Sequence, residues 1–254
     1  MLLARPPLPV APWAAVAARE LRYLRREPRR QLQFLVSLGL GIGGPVTLAI
    51  AGGGDLDPGT VLLASAAGYI ALLNAGNAFG LDGAALWMDA VAGVPARDLV
   101  VGKNAALAIG TAPPVLAAGV VLAAITGGWV YLPVALVVAG AGLGAGLAVA
   151  NWSAVHTPLP IPDGANPFAS PGAGQGCAKG AVLLLCAVIQ AVLLVPVALS
   201  VGVTVVAAPW ALALVAPAAA LYGWLVWRTG VRFAARAADR RLPELLAEVH
   251  PSAA

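Results

Sequence analysis

AVLLLCAVIQAVLLVPVALSVGVTVVAAPWALALVAPAAALYGWLVW, residues 181–227, contains no charged side chain. A helix crosses the roughly 30 Å hydrocarbon core with about 20 apolar residues, so this run has room for two crossings. Pro196 and Pro209 interrupt it, and the boundary is expected near Gly202. Two full spans or a re-entrant pair of half-helices both satisfy the pattern.

Working outward, the same criterion marks residues 32–52, 58–80, 104–126 and 129–150, before 180–202 and 207–228. The expected fold is an all-α membrane protein: a six-span helical bundle forming one transmembrane domain over residues 1–254. Composition agrees, at 60% apolar, 10% charged and mean hydropathy +0.88. A soluble domain is nearer half apolar and a quarter charged. Residues 8–18, LPVAPWAAVAA, imitate a signal peptide, but two prolines break the run and arginines follow, so no cleavage is expected. Cys177 and Cys186 make no disulfide framework.

Orientation follows from the 15 lysines and arginines. Seven precede residue 32; Arg97 and Lys103 lie in the second loop, Lys179 ends the fourth, and five follow from Arg228 onward. The opposite loops carry only Asp55 and Asp57. Basic residues mark the cytoplasmic side, which places both termini there and makes residues 229–254 a cytoplasmic tail. No ionisable group is expected within a span, although ion-coupled carriers place such groups at membrane depth. The driving energy is therefore expected from elsewhere.

Two cytoplasmic segments stand out. Within residues 8–31, WAAVAARELRYLRR at 13–26 reads as an amphipathic helix ended by Pro28. Trp13, Val16, Ala17, Leu21 and Leu24 share one arc; Arg19, Arg22, Arg25 and Arg26 share the other. Such a helix lies at the membrane surface, its apolar face in the acyl boundary and its arginines at lipid phosphates. The second segment is the loop NAGNAFGLDGAALWMDAVAGVPARDLVVGK at 74–103. Asp82 is placed to cap a short helix carrying Leu86, Trp87, Asp89 and Val91. Gly93 and Pro95 break it, and Arg97, Asp98 and Lys103 lead into the third span. A hairpin with a large aromatic suits a partner's groove; a loop on the headgroups anchored by Trp87 is the other reading.

This layout resembles the permease subunit of a type-2 ATP-binding-cassette exporter: a connecting helix, six spans, and a coupling hairpin between the second and third. Pro95, Arg97, Asp98 and Gly102-Lys103 follow the order in which that family's hairpin ends, and NPFASPGAGQG at 166–176 is similar to a subset of its bacterial members. The resemblance implies separate ATPase subunits that hold ATP and magnesium, a second six-span unit as homodimer or heterodimer, and the bacterial cytoplasmic membrane. Asp82, Leu86, Trp87, Asp89, Pro95, Arg97 and Lys103 become the expected coupling interface. No cofactor is expected on this chain, and no nucleic acid.

Other motifs give little. Gly39, Gly41 and Gly44 match a dinucleotide fingerprint but follow no strand, and with Gly140, Gly142, Gly144 and Gly146 they read as helix-packing positions. Gly102-Lys103 lacks the preceding glycine of a phosphate loop, so the chain is not expected to be an enzyme. His156 and His250 stand apart, which gives no metal site. Asn74, Asn77 and Gln190 are the polar residues within spans: hydrogen bonds between helices, or a substrate path. A largely apolar interior with a few amides suits a drug, natural product or lipid. A lipid-modifying membrane enzyme and a non-transport scaffold are the alternatives.

Overall fold

The uncharged run is divided at Ala208, whose backbone (φ −154°, ψ 71°) belongs to neither flanking helix. The computed structural model describes residues 11–51, 57–67, 74–159 and 176–249, and among these there is no β-strand. The helix before the break, Gly176–Ala207, passes through Gly202 and Pro196 without interruption, and the next runs Leu212–Arg240. The boundary therefore lies six residues beyond the expected glycine, and no re-entrant half-helices form. Glycine alone does not stop a helix in an apolar run; Pro209, which opens the next helical turn, does.

In chain order, α1 (Pro12–Arg26) and α2 (Pro28–Leu38) lead through a π-helical turn at Gly39–Gly43 into α3 (Gly44–Ala51). A tightly wound 3-10 stretch, Pro58–Ala67, follows. The hairpin carries α4 (Leu86–Val91), and then come α5 (Ala96–Thr126), α6 (Leu132–His156), α7 (Gly176–Ala207), α8 (Leu212–Arg240) and α9 (Leu242–Val249).

Among the described residues, four helical stretches are long and apolar enough to cross a bilayer: Ala96–Thr126, Trp129–His156, Gly180–Ala207 and Pro209–Arg240. The chain is a multi-pass membrane protein. The segments expected as the first two spans differ from those four. Residues 28–51 are helical throughout but widen at Gly39–Gly43, where the Gly44 N–H bonds back to the Gly39 carbonyl. Gly39 and Gly44 have no neighbour that a Cβ would meet, whereas Gly41, at the centre of the π-turn, is buried as a packing position is. The 58–80 segment begins in 3-10 geometry, and residues 68–73 lie outside the described residues. Most of NPFASPGAGQG lies outside them too, although Gly176 and Cys177 open α7.

The bundle is organised around α6: over half of its apolar stretch is buried, against about a sixth of the apolar stretches of α7 and α8. Small residues set the α6–α8 contact. A Cβ at Gly144 would stand 2.5 Å from the Gly223 carbonyl oxygen, and one at Gly230 would stand 2.5 Å from the Ala148 Cβ. Without a hydrophobic drive inside lipid, such close backbone approach is what joins helices. Gly140, by contrast, is exposed and meets nothing. The outer faces of α7 and α8 present Leu184, Val188, Val192, Leu199, Val203, Leu214 and Leu221, as lipid requires.

The residues expected as a cytoplasmic tail are helical as far as they are described, through Val249. α8 continues unbroken to Arg240, and α9 folds back so that Leu245 and Val249 are buried among Phe79, Leu86, Val100, Val155, Val231, Ala234 and Ala238. Arg241 fastens the turn, donating to the Val155 carbonyl at 3.2 Å and to Glu248 at 3.1 Å.

Candidate functional site

Beside the hairpin, α1 lies across the start of α5. Gly102 makes this possible: a Cβ there would fall 2.5 Å from the Trp13 carbonyl oxygen and 2.6 Å from the Val16 Cβ. Ala14, Val16 and Ala17 are buried in that contact. Of the apolar arc of α1, Val16 and Ala17 thus rest on protein, while Trp13, Leu21 and Leu24 are half-buried. A neighbouring helix satisfies an amphipathic stripe as well as lipid does, and periodicity does not distinguish them.

The next residue, Lys103, enters an acidic box. Its Nζ donates to Glu20 Oε1 at 2.8 Å and lies 2.7 Å from Asp82 Oδ2. Arg30 reaches the other oxygens, Glu20 Oε2 at 2.5 Å and Asp82 Oδ1 at 3.3 Å, and also Glu27 at 2.8 Å. Arg19 grips Asp89 with two parallel bonds, 2.5 and 2.9 Å, and stands 4.0 Å from Asp82. Arg30 and Lys103 lie over the Tyr23 and Phe79 rings at 5.0 and 6.0 Å. Three cations thus meet three buried carboxylates, and α1, α2, the hairpin and α5 are tied in one network.

Burial on its own pushes the Glu20 carboxyl up. The charges of Lys103 and Arg30, the Lys103 hydrogen bond and the Arg19 charge outweigh it and hold Glu20 at about 2. Burial likewise opposes the charge on Arg19, yet the Asp89 hydrogen bonds and nearby carboxylates raise its pKa. Removing one partner from such a network typically costs about 3–5 kcal/mol, because the other charge is left buried and uncompensated. The arrangement specifies geometry; its carboxylates are engaged by cations.

The seven residues expected at the coupling interface divide into two sets. Asp82, Leu86, Asp89 and Lys103 point inward: three belong to the ion network, and Leu86 is buried beneath α9. Trp87, Pro95 and Arg97 are exposed. Asp82 does not cap the short helix; its side chain makes no cap bond because Arg30 and Lys103 claim it. Trp87, Met88 and Val91 form an outward apolar face on α4, at 55, 47 and 77% exposure. Left-handed glycines close the hairpin at both ends, Gly83 (φ 51°) and Gly93 (φ 65°).

Of the membrane-surface residues, Arg22, Arg25 and Arg26 are exposed and Trp13 is half-buried, whereas Arg19 is withdrawn into the network. The three span amides also part company. Asn77 exchanges two hydrogen bonds with the Leu159 backbone, at 3.1 and 2.7 Å, pinning the start of the fourth loop. Gln190 is fully buried in α7. Asn74 donates to the Ser37 hydroxyl and lines a cleft enclosing ≈ 580 Å³ of space open to solvent. Glu20, Arg30 and Lys103 form its charged end; Leu24, Phe34 and Leu107 form its apolar wall.

Glu20 and Arg30 are absent from the sequence-based expectation. Glu20 carried a usable signal: it stands one turn after Val16 and one before Leu24, an acid on the buried stripe. Comparisons with protein-family models, with curated proteins and with solved structures return no match.

Proposed function

We propose that the chain is the permease subunit of an ATP-binding-cassette exporter, working with separate ATPase subunits and a second copy or relative of itself. In this reading residues 28–51 and 58–80 complete a six-span unit in a bacterial cytoplasmic membrane, with both termini cytoplasmic. The observation that carries it is the hairpin. It is braced from within by ion pairs to α1, α2 and α5, and it presents Trp87, Met88 and Val91 outward.

A force-transmitting lever needs a stiff attachment to the spans and an apolar contact for its driver. The buried network supplies the first and the α4 face the second. ATP-driven closure of the partner subunits would move hairpin, α1 and α5 together. A loop lying on headgroups would not require three buried carboxylates to fix its angle. The cleft beside the network suits an amphiphile, with charge at one end and apolar wall at the other.

Association with an ATPase subunit tests the reading through Trp87→Ala. Truncating a buried aromatic at an interface costs about 2–4 kcal/mol, which is roughly 30- to 1,000-fold in affinity. Lost association at normal membrane abundance supports the lever. Unchanged association removes Trp87 from it and favours the headgroup anchor.

A further inference from the structure

Among the described residues, the side-chain amide nitrogens of Asn104 and Asn151 and the indole nitrogen of Trp227 are buried and donate to nothing. Asn104 on α5 and Asn151 on α6 are 2 and 5% exposed; Trp227 belongs to α8. Buried polar groups nearly always find a partner, so orphaned donors on three adjoining helices point to something that completes them.

The packing gathers these donors at one place. Val100, Ala154 and Val155 belong to one hydrophobic cluster, and Ala150 and Cys186 belong to the next. Asn104 lies one turn after Val100, Asn151 lies between Ala150 and Ala154, and Trp227 packs against both clusters. The donors therefore line the seam between the two. Their stripes agree with this placement. Asn104 continues the α5 row of Thr111, Val115 and Gly119, which rests on α6 at Ala139 and Leu132. Asn151 continues the α6 row of Gly144 and Ala148, which meets α8 at Gly223 and Gly230.

The donor set selects the ligand. N–H groups do not hold a cation, and an indole nitrogen only donates. An anion would need a positive charge nearby, yet Lys103, the residue before Asn104, is committed to Glu20 and Asp82. An uncharged oxygen with free lone pairs fits. We propose that Asn104, Asn151 and Trp227 form a binding site for a neutral oxygen ligand, either water or the carbonyl or hydroxyl of an amphiphile. The cleft adjoins this site: Leu107, one turn from Asn104, lines the cleft and packs against the second cluster. The Thr111 hydroxyl, also buried without a partner, extends the polar row about 10 Å along α5. The site stands whether or not the chain works with an ATPase.

The test uses the full chain, isotopically labelled at its tryptophan indoles, in nanodiscs of ether-linked phosphatidylcholine, which offers no ester carbonyl. Trp227→Phe assigns the Trp227 indole proton by magnetic resonance, and monolaurin, an uncharged monoacylglycerol, is the probe amphiphile. A hydrogen-bonded indole proton moves downfield. A downfield signal with a cross-peak to water, before any probe is added, identifies water as the ligand. A downfield step on titrating monolaurin identifies the amphiphile. In both cases Asn104→Val and Asn151→Val should each reduce the shift, while the remaining tryptophan signals report an intact fold. Asn104→Ser and Asn151→Ser still donate and should retain part of it. An unshifted Trp227 signal with and without monolaurin overturns the site. So does a downfield signal with neither water contact nor probe response, because Trp227 then donates to the protein itself. A shift that both valine variants leave in place overturns it as well, since the amides then take no part.

Discussion

Glu20 shows how a single side chain is read differently in sequence and in structure. On the helical wheel it continues the stripe of Val16 and Leu24, where an acid is out of place unless something buried meets it. Lys103 and Arg30 meet it, from 83 and 10 positions away along the chain. Its folded pKa of about 2 lies below the ordinary 4.5, so its stabilising contribution is complete above pH 4.5 and disappears as pH falls toward 2. The size is on the order of 3 kcal/mol. Thermal unfolding in detergent should therefore show little Glu20-dependent change between pH 7 and 5. A fall in stability across pH 4.5–2 should be weakened in Glu20→Gln, which itself should lose about 3–5 kcal/mol at neutral pH. Equal pH profiles for the two proteins would place Glu20 outside the network.

The neighbouring pair Leu86 and Trp87 makes a complementary comparison. Leu86 is 1% exposed beneath α9, whereas Trp87 faces outward. Leu86→Ala should cost about 2–5 kcal/mol of stability through the cavity it leaves. Trp87→Ala should leave the melting temperature nearly unchanged and act on partner binding alone. Melting curves for both variants check the division. The hydrophobic spacing of 86, 87 and 91 located a helix correctly, but it did not reveal which residue lies inside. That depends on α9, some 155 residues later.

At the scale of elements, α1 against α5 is the decisive contact. The Gly-Lys pair at 102–103 is visible in the sequence as a motif, and the structure gives each residue a separate task. Gly102 admits the α1 backbone, and Lys103 enters the box that α1 helps to build. Gly102→Val should force α1 off α5, because backbone at Trp13 cannot yield as a flexible side chain would. A loss of several kcal/mol and of the hairpin's fixed angle is expected, on the scale of overpacked cores or more. Protease accessibility of the 82–95 hairpin, raised already in Gly102→Ala and further in Gly102→Val, would report the angle; wild-type resistance in both variants would contradict it. The long apolar helices were legible because length and hydropathy suffice to define them. The π-turn at Gly39–Gly43 and the 3-10 stretch at Pro58–Ala67 were not, since their backbone departs from the period that such a reading assumes. α8 also outran its apolar segment: the Ala and Arg residues beyond Trp227 are good helix formers, and nothing after them breaks the helix before Arg241.

For the whole molecule, the account couples an orientation to a source of energy. Cys177 stands in the first turn of α7 and Cys186 is fully buried further along the same helix. A membrane-impermeant maleimide should label Cys177 in inside-out vesicles and not in intact cells. Labelling from outside would reverse the topology and place α1 and the hairpin on the wrong side for a cytoplasmic motor. The energetic half is tested most directly by ATP turnover of the purified chain, alone and reconstituted with an ATP-binding-cassette ATPase subunit. The expected result is no hydrolysis by the chain alone, and an ATPase rate in the mixed complex that changes when the chain is present and reverts in Trp87→Ala. Hydrolysis by the chain itself, or a partner ATPase indifferent to its presence, would contradict the exporter reading.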